Sequence, residues 1–554
     1  MNRYLSWFIL AASIISAFLL GSEVAYQMGW AIDESVTFLM AEESVNTFQF
    51  PTLGIINSFG FHNPNAMVWL TLPLALFFDH PLFISYALIF FHLISLSIFF
   101  VLFKKYISTE QSHPSGHQQG TDLLLIAILL TDLTLLLSAP ILWAQTIVYP
   151  FLIGLLLILL RLEKEQTKPL LIIAGYLFLF LPALHLSLFV LLPFAILPLR
   201  KGPWRRRLHG ALFLALGSAV AFLLHWLPWL LEVDFARMVE LRSSWQAGKP
   251  YEDISILSRF FGFTQWVNLL LNPFPDGHGL TDVNGFFLGV SRALRLALVL
   301  FSIGMLVHAY RKRLHPIFNQ LGCCIISLAL IFSILSLLGK SPYEERANIG
   351  QIYILPLMVI VIFIIREFLL RGESIAGQSI KWLRPGALVF LSCLLLSRII
   401  TLSFPSHEEP SSGPSENENK PSFSIFDLPI GDKSIILDGL IDLAKEVPSG
   451  QFTVAYEVEG WERFFGYIEH LDRVARHDYY RKNALFDYYL SAHSARPDQF
   501  QMVDIELKPD FLILHPVQSS NEINLHLGDE DVVYEKVLST PSLALWAKVP
   551  DRSP

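Results

Sequence analysis

The chain predicts an all-α polytopic membrane protein of about eleven transmembrane helices, followed by a small extracytoplasmic α/β domain. Three observations lead there. Of its 554 residues, 53% are hydrophobic and only 16% charged, and the apolar residues stand in unbroken, bilayer-length blocks rather than at amphipathic spacing. Lys and Arg gather in clusters between alternate blocks, as cytoplasmic loops do. Past residue 404 the blocks stop and an ordinary soluble composition begins.

A hydrocarbon core takes about 20 apolar residues per helix. By that measure, spans lie near 5–22, 82–103, 122–140, 147–162, 211–231, 288–309, 317–338, 351–370 and 387–404. The stretch 170–199 is too long for one ordinary span and carries Pro182 and Pro193. Basic residues flank it on both sides: Arg161, Lys164 and Lys168 before, Arg200, Lys201 and Arg205 to Arg207 after. With both flanks cytoplasmic, it reads as a hairpin of two short helices turning near Pro182 to His185, which makes eleven spans. Lys104 and Lys105, the 200–207 cluster, Arg311 to Arg313, and Arg371, Lys381 and Arg384 then all face the cytoplasm. The N-terminus is inside and the C-terminus outside. The first span follows Met1-Asn2-Arg3, but no A-x-A-like site succeeds it, so it reads as a retained anchor.

The transmembrane part is thus 1–404, with external loops at 23–81 and 232–287. Within the first loop, NPNAMVWLTLPLALFF (63–78) is close to a span but is interrupted by Pro73, and it reads as an interfacial or re-entrant helix with Trp69 at headgroup level. Residues 405–422, rich in Pro, Ser, Glu and Asn, form a flexible tether with too little apolar content to pack. Residues 423–554 are the soluble unit. Helical spacing at 434–446, FTVAYEV (452–458), a helix over 461–475, FLILHP (511–516), VVYEKVL (532–538) and LALWAKV (543–549) give it helix and strand in alternation.

Composition also excludes classes. Cys323, Cys324 and Cys393 all lie inside apolar runs, against a disulfide framework or a thiol zinc site. The net charge of −8 is spread without a polybasic surface, so nucleic acid is not a partner. There is no Walker-type loop, no G-x-S-x-G and no H-E-x-x-H, against a nucleotide-driven pump and the commonest hydrolase and protease plans.

The residues that could carry chemistry begin with Asp33 and Glu34, in a loop free of Lys and Arg as far as residue 81. Two readings stand side by side. Partial burial under apolar helices would fit Asp33 for general-base work at the membrane surface; equally, Asp33 would cap the helix that SVTFLMAEE forms, with Glu34 favourable in its first turn. Arg292 and Arg295 lie three apart, on one helix face at the outer end of a span, able to grip a lipid phosphate or to snorkel to the headgroups. Arg346 in GKSPYEERANIG has Glu344 and Glu345 as simple ion-pair partners. His185 sits at the tip of the short hairpin. Asp132, inside the third span, has Thr131 and Thr134 nearby and is read as a structural helix-to-helix hydrogen bond. His278 with Asp276 and Asp282 lies in a Gly- and Pro-rich loop and is not taken as a metal site.

Taken together, the stretch 31–82 resembles the first external loop of the GT-C-type membrane glycosyltransferases. The likeness is to the family 39-like bacterial enzymes related to protein O-mannosyltransferases and aminoarabinose transferases. The features are a first span, the pair Asp33-Glu34, an external helix, and then Pro51, Gly54, Ser58, Gly60, Asn63, Pro64, Trp69, Leu70 and Pro73 in order. ILWAQTIVYPFLIGLLLILLRL (141–162), LPALHLSLFVLLP (181–193) and HWLPWLLEV (225–233) continue it more weakly, over the first 240 residues or so. The loop departs from many relatives in having NPNAMVWL where they carry a second Pro and aromatics after the Asn-Pro. The resemblance implies transfer of a sugar from a polyprenyl-phosphate-linked donor to a glycan, lipid or protein acceptor at the outer face of a bacterial plasma membrane. It makes Asp33 the carboxylate that activates the acceptor hydroxyl and Glu34 its partner. Asn63, His185, Arg292, Arg295 and Arg346 are the candidate substrate contacts. A leaving phosphate also needs positive charge or a divalent cation beside it, and no residue is assigned to a metal. Two readings of other classes compete: a transporter or flippase for a lipid-linked or polar substrate, and a non-catalytic membrane assembly protein.

Overall fold

A computed structural model of the chain describes residues 3–27, 32–56, 62–78, 81–107, 116–199, 203–233, 285–311, 317–326, 328, 344–375, 383–403, 430–445, 452–457, 500–502, 508–514, 522–527, 530–540 and 544–549. The tether 405–422, the helix expected at 461–475, and His278 with its neighbouring aspartates fall outside them.

Helix α1 (Arg3–Gln27) is followed by α2 (Ile32–Thr47), a short antiparallel pair β1 (Leu53–Ile56) and β2 (His62–Pro64), and α3 (Ala66–Phe77). At 12 residues, α3 is about 18 Å long, too short to cross a bilayer. It buries Ala66, Met67, Val68 and Thr71 in its first half. Helix α4 (Pro81–Leu102) runs into a short π segment that carries Lys104 and Lys105. Among the described residues five helices are long and apolar enough to cross a membrane: Leu82–Lys105, Gly120–Ser138, Ala144–Lys164, Trp204–Glu232 and Gly289–Arg311.

The third block, expected as one span over 122–140, is broken. Helix α5 (Gly116–Leu130) stops, and α6 (Leu133–Ser138) restarts with Asp132 as its N-cap. The Asp132 carboxylate accepts from the Thr134 backbone N–H at 3.0 Å, supplying a partner to one of the orphan donors of a helix start.

Helix α7 (Ala144–Lys164) contains Pro150. A proline donates no backbone hydrogen bond, so the Thr146 carbonyl one turn back is left without its helical partner. His92, buried on α4, reaches that oxygen with Nε2 at 3.0 Å. Helix α8 (Lys168–Leu184) ends where His185 turns extended, and a 3-10 helix (Leu186–Leu199) packs back beside it. The chain therefore reverses at the point where the two basic flanks require a hairpin.

Helix α9 (Trp204–Ala221) crosses α8 at backbone contact. A Cβ on Gly175 would lie 2.0 Å from the Leu214 carbonyl oxygen, and one on Gly217 would lie 1.9 Å from that of Ile172. Small residues are what permit such approach in a membrane, where packing rather than the hydrophobic effect holds helices together. Ser218 fastens the crossing by donating to Gly175 O at 2.9 Å. Beyond α9, a π segment (Phe222–Trp226) leads into α10 (Leu227–Glu232). Then come α11 (Gly285–Arg311), α12 (Ile317–Ile326), α13 (Glu344–Ile375) and α14 (Leu383–Ser403).

After these, α15 (Ile430–Lys445) packs on a six-stranded mixed sheet of order β4-β3-β5-β8-β7-β6. Its strands are β3 (Phe452–Glu457), β4 (Phe500–Met502), β5 (Phe511–Leu514), β6 (Glu522–Leu527), β7 (Glu530–Ser539) and β8 (Ala544–Lys548). Alternation decides the faces. Val454, Phe511, Ile513 and Leu545 meet Ile436, Leu437, Leu440 and Ile441 of the helix, while Leu512, Val532, Tyr534, Ala544 and Trp546 cluster on the other side.

Candidate functional site

Asp33 and Glu34 occupy the first turn of α2, where the partial positive charge of a helix N-terminus favours carboxylates. Glu34 is 2% exposed, buried like Val36, Thr37 and Phe38 further along the helix. The backbone of Asp33 belongs to the helix; its side chain is outside the described residues. Helix α2 packs on α3 and on β1, so the acidic pair and the 51–73 loop form one body.

That loop is anchored on the end of the α9 to α10 segment. Pro228 donates no hydrogen bond, and the π segment before it leaves the Leu224 carbonyl free of its usual partner. The Asn65 amide, 1% exposed, supplies one: Nδ2 donates to Leu224 O at 3.3 Å and to Pro51 O at 2.7 Å. With Nδ2 committed to two carbonyls, Oδ1 must accept, and His225 Nδ1 lies 2.9 Å from it. The His225 proton is therefore on Nδ1, and Nε2 accepts from the Tyr176 hydroxyl at 3.1 Å. Trp69 stands edge-on to His225 and donates to Pro51 O at 3.3 Å. Trp229 donates to His62 O at 2.6 Å, and Thr52 donates to the Glu232 carboxylate at 3.0 Å. The two sequence stretches 51–73 and 225–233 thus meet as one hydrogen-bonded unit.

A second cluster lies at the break between α5 and α6. Asp132, 1% exposed, faces Arg398 Nη2 at 2.7 Å and Arg295 Nη2 at 3.5 Å. Arg295 also donates to Thr134 Oγ1 at 2.7 Å, and Arg398 Nη1 caps the Ile128 carbonyl at the end of α5. Arg295 does not snorkel: it is 3% exposed and paired inward. Arg292, one turn nearer the N-terminus of α11, is half-buried. Ten residues back along α5, Asp122 pairs with Arg366 at 2.8 Å and with Lys104 at 2.6 Å, and Arg366 also holds Glu367 at 2.7 Å.

The remaining expected contacts scatter. Asn63 is half-buried in β2, His185 is half-buried at the turn after α8, and Arg346 opens α13 with its side chain outside the described residues. Among the described residues no three His, Cys, Asp or Glu side chains converge as a cation site requires. Sequence reasoning missed Asn65, Tyr176, His225, Arg366 and Arg398. For the two arginines a signal existed, since an ionisable residue inside an apolar span is a functional or structural marker by default.

Neither a protein-family model nor a curated protein sequence matches the chain. Its fold has counterparts among solved structures. The crystal structure of ArnT from Cupriavidus metallidurans in the apo state matches with TM-score 0.50 and 12% identity, covering 99% of both chains. ArnT from the same organism bound to undecaprenyl phosphate matches with TM-score 0.51 and 11% identity, over 100% of this chain and 99% of that one. A looser match is archaeal oligosaccharyltransferase AglB from Archaeoglobus fulgidus, with TM-score 0.42 and 11% identity over 85% of this chain and 64% of that one. At such identities the two ArnT matches speak for the fold alone: the chain shares the fold of those membrane-protein structures, in keeping with its five described helices long and apolar enough to cross a membrane.

Proposed function

We propose that the protein is a membrane glycosyltransferase that moves a sugar from a polyprenyl-phosphate-linked donor to a glycan, lipid or protein acceptor at the outer face of a bacterial plasma membrane. The observation that carries the reading is the full-length likeness to ArnT, one of whose structures holds undecaprenyl phosphate. It is joined to an acidic pair at the N-terminus of α2, packed on the loop that docks on α10.

In this reading Asp33 takes the proton of the acceptor hydroxyl as its oxygen attacks the anomeric carbon. The bond from that carbon to the carrier oxygen breaks, and polyprenyl phosphate leaves with the electron pair. Glu34, buried beside it, orients the acceptor. Arg292, Arg295 and Arg346 offer positive charge to the leaving phosphate, and Asn63 and His185 contact substrate. The N-terminus is cytoplasmic, and residues 423–554 form an extracytoplasmic unit on the tether 405–422, after a membrane part of about eleven spans ending at 404. The ion pairs support this topology. Lys104, Asp122 and Arg366 belong to inner ends in the charge pattern and Asp132, Arg295 and Arg398 to outer halves, and among the described residues no ion pair joins the two sets.

The test uses membranes containing the chain, wild type and Asp33→Asn, given radiolabelled polyprenyl-phosphate sugars. Label reaching acceptor material with wild type and not with Asp33→Asn, at equal insertion, is the expected result. Equal transfer by both would return Asp33 to helix capping, and no transfer from any donor would reject the transferase.

A further inference from the structure

We infer that Arg295 and Arg398 form an anion site inside the membrane-spanning part, built to take a phosphate group. The argument is one of charge and of donors. Two guanidinium groups, 3% and 1% exposed, share a single carboxylate, Asp132. Arginine stays charged, so among the described residues the cluster carries one positive charge more than its carboxylate balances, away from water. A buried charge without a counter-ion is among the costlier arrangements a protein can hold.

The donors repeat the imbalance. Arg295 spends Nη2 on Thr134 and Asp132, and leaves Nε and Nη1 without a hydrogen-bond partner. Arg398 spends Nη1 on Ile128 O and Nη2 on Asp132, and leaves Nε without one. Three buried N–H donors from two planar forks suit an oxyanion with several acceptor oxygens, which is what a phosphate monoester or diester offers. Among the described residues no second carboxylate pairs with either guanidinium.

The approach is from the outer side. Arg292 stands one helical turn outward of Arg295 on the same face of α11 and is half-buried, so an anion entering at headgroup depth meets it first. Asp132 acts as the fixed internal counter-ion that sets the two forks, and Thr134 holds Arg295 in place. That the anion is the phosphate of a carrier lipid rests on the transferase reading; the site itself is read from charge. A free phosphate has the same chemistry, and the experiment separates the two.

The full chain, purified in detergent, is titrated with a polyprenyl monophosphate, with the matching dephosphorylated polyprenol, and with inorganic phosphate, and its thermal midpoint is followed. Protection by the polyprenyl phosphate and not by the polyprenol is expected. Added protection by inorganic phosphate would make the source a soluble anion as well as a lipid. The variants follow the net charge of the cluster. Wild type is +1, Arg398→Gln is neutral and Asp132→Asn is +2, and Asn keeps the helix cap. Phosphate affinity falls at least about tenfold in Arg398→Gln and does not fall in Asp132→Asn.

Should Arg398→Gln fail to fold, the double variant Asp132→Asn with Arg398→Gln restores the +1 charge without leaving a carboxylate unpaired, and it binds as wild type does. Equal protection by phosphate and polyprenol, no protection by either phosphate, or a loss of affinity in Asp132→Asn equal to that in Arg398→Gln would overturn the site. Binding that fails while sugar transfer persists rejects the site alone; binding that persists without transfer rejects the transferase alone.

Discussion

Asn65 and His225, 160 positions apart, meet at 2.9 Å through Oδ1 and Nδ1, and the same amide closes the gap that Pro228 opens in the next helix. The contact ties the 51–73 loop to the α9–α10 segment by satisfying a defect in that segment. Without Asn65, the buried His225 ring loses its Nδ1 partner and the Leu224 carbonyl its donor, while the Pro51 carbonyl keeps the Trp69 indole.

Asn65→Ala is therefore expected to cost about 1 to 3 kcal/mol, the range for one buried group, the His225 ring, left unsatisfied. Asn65→Asp, which keeps the shape but cannot donate to two carbonyls, should do no better. Thermal midpoints in detergent check this. Wild-type stability in Asn65→Asp would mean the amide is not the anchor.

The crossing of α8 and α9 makes a second expectation. Gly175→Ala or Gly217→Ala places a methyl about 2 Å from a backbone oxygen, so the helices must part, at about 1 to 3 kcal/mol. Gly304, in α11, has open space where its Cβ would be. Gly304→Ala should be neutral or stabilising by up to about 1 kcal/mol through helix propensity. If all three variants melt alike, the close approach is not what holds the pair.

What the sequence revealed follows from how local each signal is. The five described span positions, the hairpin at His185 and the shortness of the 66–77 helix rest on apolar length and proline, which act within a few residues. The break at Thr131-Asp132 was not legible, because the run stays apolar on both sides and the reason for breaking it lies in Arg295 and Arg398, 161 and 266 positions away from their Thr134 and Asp132 partners. Strand β4, three residues long, carries no periodicity to read. His225 stood inside a stretch noted for its resemblance, but its partner Asn65 is set by a proline defect that only the fold reveals. Asp33 was equally open to capping and to catalysis, and its place in the first turn of α2 suits both.

The alkaline response of the C-terminal sheet supplies a third prediction. Burial, and then the nearby Asp510, push the Tyr534 phenol up to about 12, against an ordinary value of about 10. Its hydroxyl donates to Pro509 O at 2.9 Å. A phenol is neutral when protonated, so a raised folded value stabilises the sheet fully below about pH 10, and that contribution is lost as pH climbs from 10 towards 12. Protease resistance of residues 508–549 in the full chain should fall over that window, and Tyr534→Phe should remove this part of the pH dependence while lowering resistance at neutral pH.

The Arg366–Asp122 cluster yields the last. Arg366 is 1% exposed and bonded to Asp122, whereas the Lys104 side chain, bonded to the same carboxylate, is 38% exposed. Breaking a fully buried pair strands its partner away from water and costs about 3 to 5 kcal/mol. A pair with one end in water is worth about 0 to 1 kcal/mol, and the long lysine stem can carry its charge outward when the contact goes. Arg366→Met should thus lower the thermal midpoint far more than Lys104→Met. Adding Asp122→Asn to Arg366→Met should recover part of the loss, since the two sites share one interaction and their effects do not add. A Lys104→Met variant as unstable as Arg366→Met would place the stabilising contact at the solvent end of the cluster.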